Sequence, residues 1–88
     1  MKIKEEFVLR KIAQTYVVLP LAAETVNFGG MLTLNESGAM LWDKLVQGCD
    51  REALVRALTE EYDVAEEQAA ADAEAFLDKL IQVGCVEL

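Results

Sequence analysis

The stretch "GGMLTLNESGAMLWDKL", residues 29–45, changes its hydrophobic period halfway along. Met31, Leu32, Thr33 and Leu34 alternate as a pleated strand does, whereas Gly38, Leu41, Trp42 and Leu45 recur at the three-and-four spacing of a helix. Asn35 stands at the change. Its side chain suits an N-cap, accepting a hydrogen bond from an otherwise unpaired N–H of the first helical turn. A strand handed straight into a helix excludes purely helical and purely β architectures, and the rest of the chain must be compatible with that junction.

Upstream of the junction the pattern is β. "EEFVLRKIA" and "TYVVLPL" are rich in β-branched and aromatic residues, and the short link Ala13, Gln14, Thr15 suits a hairpin, although no Asn-Gly or Asp-Gly selects the turn type. Pro20 has no backbone donor and closes the second strand or puts its end at a sheet edge. "AAETVNFGG" is a connection in which Gly29 and Gly30 allow positive φ before the short strand Met31 to Leu34.

Downstream the pattern is helical. The first helix closes near Gly48. Asp50 caps a second, "REALVRALTEEY", which buries Leu54, Val55, Leu58 and Tyr62. A third runs from about Glu66 to Val83, with Ala69, Ala73, Phe76, Leu77, Leu80 and Ile81 on one face and Gly84 as its stop. Ala65 offers no capping side chain, so a start at Asp63, or fraying of this end, is the alternative. The tail "CVEL" is compatible with a terminal strand or with docked coil. The expected fold is α+β and winged-helix-like: an N-terminal three-stranded antiparallel sheet followed by a three-helix bundle, one domain over residues 1–88.

Sixteen acidic residues against eight basic ones leave a charge of −8, which repels phosphate backbones. A winged-helix DNA-binding protein is therefore a disfavoured alternative, more so because the third helix carries Glu66, Glu67, Asp72, Glu74 and Asp78 against Lys79. Histidine is absent. That removes the commonest general base and transition-metal ligand. Cys49 and Cys85 lack metal-ligand spacing and suit packing in a reducing compartment. The adjacent carboxylates Glu5-Glu6, Glu60-Glu61 and Glu66-Glu67 point apart and suit a solvated surface rather than acid–base chemistry. No catalytic set, metal site or cofactor is expected. Charges in "MKIKEEF" and the brevity of the apolar run from Tyr16 to Ala23 argue against a signal peptide or a membrane span, so a cytoplasmic protein is expected.

The segments "FVLRKIAQTYVVLPL", "GGMLTLNESGAMLWDKL", "LTEEYDV" and "DAEAFLDKLIQVGCVEL" together resemble the coenzyme PQQ synthesis protein D (PqqD)-like family, also called RiPP recognition elements. The resemblance rests on Leu34-Asn35-Glu36 followed by Gly38 and Leu41-Trp42, and is supported by Tyr62-Asp63, Asp72, Phe76, Leu77, Leu80 and Gly84. It implies a non-enzymatic peptide chaperone that holds the leader of a ribosomally made precursor and presents it to a modifying enzyme, often a radical S-adenosylmethionine (SAM) protein. Unlike the PqqD subgroup, this chain has no arginine-rich amino-terminal stretch, so PQQ biosynthesis itself is not implied.

In such proteins the leader adds as a strand beside the third β-strand and lies against the third helix. Carried onto this chain, the expected peptide-binding residues are Met31, Leu32 and Thr33 on the strand and Asp72, Phe76, Lys79 and Val83 on the helix. Leu32 and Leu34 are assigned inward. At 100° per residue, Asp72, Lys79 and Val83 fall on one border of the helix, and Ala70, Glu74 and Ile81 on the other. Either border could line a groove, the first offering an apolar floor with two charges. Each residue also has a plainer explanation: Asp72 and Lys79 as solvated charges, Phe76 and Trp42 as core, Asn35 as a cap. A proline at Leu32 tests the strand only if that residue's donor is not already used inside the sheet. The remaining alternative is a non-catalytic interaction or dimerisation domain, because a free β-edge also admits a second copy.

Overall fold

The computed structural model describes residues 1–21 and 32–87, so Gly29, Gly30 and Met31 lie outside the described residues. The elements run β1 (Lys2–Ile3), β2 (Phe7–Ile12), β3 (Thr15–Pro20), β4 (Leu32–Leu34), α1 (Glu36–Gln47), α2 (Arg51–Glu61), α3 (Glu66–Val83) and β5 (Val86–Glu87). The expected sheet forms in the order β2-β3-β4, antiparallel throughout, and the helices follow it. The tail is a strand rather than coil. Its β5 pairs with β1, with Ile3 opposite Val86, in a small second sheet that the sequence pattern did not reveal.

Each junction has a local cause. Asn35 Oδ1 accepts from the Gly38 N–H at 2.8 Å and from Ser37 Oγ at 3.0 Å, so β4 turns into α1 at this residue. Asp50 does the same for α2, accepting from the Ala53 N–H at 2.9 Å. At the far end of α3, Gly84 takes the left-handed conformation (φ 80°), and the Cys85 N–H reaches back to the Leu80 carbonyl at 3.0 Å. The start of α3 falls where the helical period put it, and not at the alternative further upstream. The helix begins at Glu66, not Asp63, without a side-chain cap on Ala65; the first-turn carboxylates of Glu66 and Glu67 favour that end through the helix dipole instead.

The core lies between the inner face of the sheet and the helices. Val18 from β3, Trp42 and Leu45 from α1, Leu54 from α2, and Leu77 and Leu80 from α3 are its largest fully buried side chains. Burying such aliphatic side chains contributes roughly 1.5–3 kcal/mol each before the cost of ordering the chain. Trp42 is thus a packing residue. Cys85 is buried and Cys49 half-buried, both as free thiols. Burial is the main reason the Cys85 thiol is pushed up to about 11, against a smaller opposing pull from Lys4.

Candidate functional site

The hydrogen-bond phase of the sheet decides what β4 offers at its outer side. The β2–β3 hairpin turns through Ala13 (φ 57°) and Gln14, and Ile12 stands opposite Thr15. One residue past the other end, the Leu21 N–H donates to the Glu6 carbonyl at 2.6 Å. In an antiparallel pair, hydrogen-bonded and non-hydrogen-bonded positions alternate. Counting inward from Leu21, residues Leu19, Val17 and Thr15 direct their backbone groups toward β2. Tyr16 and Val18 therefore direct theirs toward β4. Their partners are Leu34 and Leu32, and Thr33, opposite Val17, falls in the non-bonded position. Its N–H and C=O consequently point away from β3. Among the described residues no strand lies beyond β4.

This phase also settles two expectations about the strand. Leu34 is buried, Leu32 is half-buried against the core, and Thr33 is exposed, so the leucines face inward as expected. The Leu32 donor, however, is used within the sheet. A proline there would break the scaffold and would not report on an outer partner.

Beside the open edge runs a groove of about 680 Å³. One wall is α3, from which Asp72, Ala75, Phe76 and Lys79 face the groove. Their spacing of three, four and seven places them on one helical face. The opposite wall is Thr33 and Leu34, continued by Gln14 and Thr15 at the hairpin. Asn35, Ser37, Gly38, Leu41 and Leu58 complete the lining. Apolar and polar side chains thus both line the cleft, with one cation and one anion about two helical turns apart on α3.

Gly38 is the close approach at the centre. A Cβ placed there would stand 3.2 Å from Leu34 Cβ, 3.2 Å from Asn35 Oδ1 and 3.5 Å from Phe76 Cε1. The lack of a side chain lets the end of β4, the start of α1 and the Phe76 ring converge without filling the groove.

Of the expected residues, Thr33, Asp72, Phe76 and Lys79 come together at the groove. Leu32 does not line it and packs its side chain against the core. Val83 does not line the groove and packs half-buried against the core near the end of α3. Met31 lies outside the described residues. The other border of α3 faces a separate hollow against α2, lined by Val55, Val64 and Ala70, with the Arg51–Glu74 ion pair (3.2 Å) on the same flank. Sequence reasoning missed Gly38, Ala75 and Leu58 as lining residues. Ala75 was findable, since on the helical wheel it lies next to Lys79, about 40° away, on the same border as Asp72.

Among the described residues no group of three or more histidine, cysteine, aspartate or glutamate residues could hold a metal ion. No helix there is long and apolar enough to cross a membrane.

Comparison with known proteins bears on this groove. The family model for coenzyme PQQ synthesis protein D (PqqD) matches residues 11–86. The chain is similar to the structure of TbiB1 in complex with the TbiA(beta) leader peptide. The two share 29% identity and a TM-score of 0.78, covering 99% of this chain and 95% of that one. It also resembles lasso peptide synthetase B1 complexed with the leader peptide, at 22% identity and a TM-score of 0.76, covering 99% and 96%. At that lower identity the likeness shows the fold. No curated protein sequence matches.

Proposed function

The chain belongs to the PqqD family, and from that premise we propose that it is a peptide chaperone holding the leader of a ribosomally made precursor peptide for a modifying enzyme. The observation that carries this reading is Thr33, whose N–H and C=O point out of the sheet directly above the groove walled by Phe76. An extended chain laid there gains two backbone hydrogen bonds from Thr33 alone and places alternate side chains against α3. The similarity to TbiB1, solved with a leader peptide, supports the same use of the edge.

No chemistry need occur in the groove. Among the described residues its lining holds no nucleophile hydrogen-bonded to a base, and Asp72 and Lys79 are exposed charges suited to orienting a visitor. The module's contribution is local concentration and positioning, supplied to a separate enzyme. The partner is a modifying enzyme, of which a radical SAM protein is one class.

Titration of isotope-labelled protein tests the assignment, using the TbiA(beta) leader peptide and the leader of a precursor encoded beside this protein's own gene. Amide shifts concentrated at Leu32 to Asn35 and along Asp72 to Lys79 are expected. Shifts confined to the hollow between α2 and α3, or to β1 and β5, would overturn it.

A further inference from the structure

The sheet β2-β3-β4 has a second edge, on the side away from the groove. The phase that turns Thr33 outward on β4 acts on β2 as well. Val8, Arg10 and Ile12 stand opposite Leu19, Val17 and Thr15 and bond to β3, so Leu9 and Lys11 direct their N–H and C=O groups away from the sheet. Among the described residues no strand lies beyond β2.

The charges along this edge identify what fits it. Residues 5–11 read "EEFVLRK", an acidic pair, an apolar centre and a basic pair. Glu5, Glu6, Arg10 and Lys11 are exposed, Val8 and Leu9 are half-buried, and among the described residues none of the four charges is in an ion pair. Lys11 Nζ lies 5.5 Å from the centre of the Tyr16 ring, a contact that holds the cation without neutralising it. Read backwards, the stretch carries the opposite charges. It is therefore complementary to itself when two copies run antiparallel and repels itself when they run parallel. Bases on a sheet edge ordinarily block pairing, and a charge of −8 keeps copies apart elsewhere; along β2 each base meets an acid instead.

We propose that this chain associates with a second copy through β2, the two strands antiparallel about a two-fold axis at Leu9. Leu9 faces Leu9 of the second copy and exchanges both backbone hydrogen bonds with it. Arg10 and Lys11 lie diagonally across from Glu6 and Glu5 of the second copy. The sheet then runs β4-β3-β2-β2-β3-β4, with a groove at each end. So small a contact is weak, with a Kd on the order of tens of micromolar, and weakens further with salt.

Sedimentation velocity on the full chain, from about 5 µM to about 1 mM, tests this with two variants, Arg10→Glu with Lys11→Glu and Glu5→Lys with Glu6→Lys. These positions are exposed, so the substitutions leave the core untouched. Either variant alone should self-associate at least about tenfold more weakly than the parent. An equimolar mixture of the two, in which every contact is again between opposite charges, should return to within about threefold of it. In the parent, hydrogen exchange of the Leu9 amide should slow as concentration rises, and that of Thr33 should not. A parent that stays monomeric throughout, or a dimer indifferent to both charge sets, would overturn the proposal. Protection of Thr33 in place of Leu9 would do so too, by putting the second copy on the β4 edge.

Discussion

Thr33 stands opposite Val17 in a pair that exchanges no backbone hydrogen bonds, and this one relationship turns the amide and carbonyl of Thr33 toward the open side of β4. Its neighbours Leu32 and Leu34 are bonded to Val18 and Tyr16 and are committed to the sheet. Two adjacent positions in one short strand thus have opposite roles, one holding the scaffold and the other offered to a partner.

Proline substitution separates those roles. Thr33→Pro removes an outward donor at an edge where proline is tolerated, so its melting temperature should stay within a few degrees of the parent while leader affinity falls about tenfold. Leu32→Pro removes a bond inside the sheet and should lower stability by about 2–3 kcal/mol, read from urea unfolding. Equal loss of stability in both variants would show that the phase assigned to β4 is wrong.

At the junction, Asn35 holds the first turn of α1 through Gly38 and Ser37. Asn35→Ala should cost about 1 kcal/mol of stability, with Asn35→Asp restoring most of it because a carboxylate also caps and favours the helix dipole. Chemical denaturation of the three proteins side by side measures this. An alanine variant as stable as the parent would mean that the cap is dispensable.

Gly38→Ala sets two effects against each other. Alanine gains about 1 kcal/mol of helix propensity, but its Cβ meets Leu34 and Asn35 at 3.2 Å, so the end of β4 must move by a few tenths of an ångström. Net stability should change by less than about 1 kcal/mol, whereas leader binding should drop several-fold because the groove is narrowed beside Phe76. Calorimetric titration alongside thermal melting distinguishes the two.

Buried Cys85 makes stability fall in alkali. Burial pushes its thiol from the ordinary 9.0 to about 11, so between those values the unfolded chain releases the proton while the folded chain retains it. Unfolding is then favoured as pH rises from 9.0 to about 11, by at most about 1.4 kcal/mol per pH unit, whereas below pH 9.0 no stability is lost through this thiol. The difference in urea midpoint between the parent and Cys85→Ala, followed from pH 8 to pH 11, should shrink over the alkaline part of that range. In the native protein near neutral pH, a thiol reagent should modify half-buried Cys49 well before Cys85.

Much of the scaffold was legible from local signals. The period change at Asn35, the caps at Asn35 and Asp50, and the stop at Gly84 all act over one helical turn, so residue identity and spacing were enough to place them. The inward leucines of β4 followed from strand alternation. The family resemblance added the pairing of β4 with α3 as the place to look.

Long-range geometry decided the rest. A helical wheel has two equivalent borders about its buried face, and only the way α3 crosses the sheet put Asp72, Ala75, Phe76 and Lys79 beside β4 and left Ala70 and Glu74 on the α2 side. The pairing of β1 with β5 joins the two ends of the chain, and two-residue strands are too short to show a period. Hydrogen-bond phase was equally hidden. The residues of the hairpin turn carry no signature that selects its type, yet the pairing from that turn through Leu21 determines that Thr33, and neither leucine beside it, faces outward. Sequence by itself determined which residues form the strand and the helix; tertiary packing decided which of their faces meet to make a groove, because that depends on contacts between residues far apart in the chain.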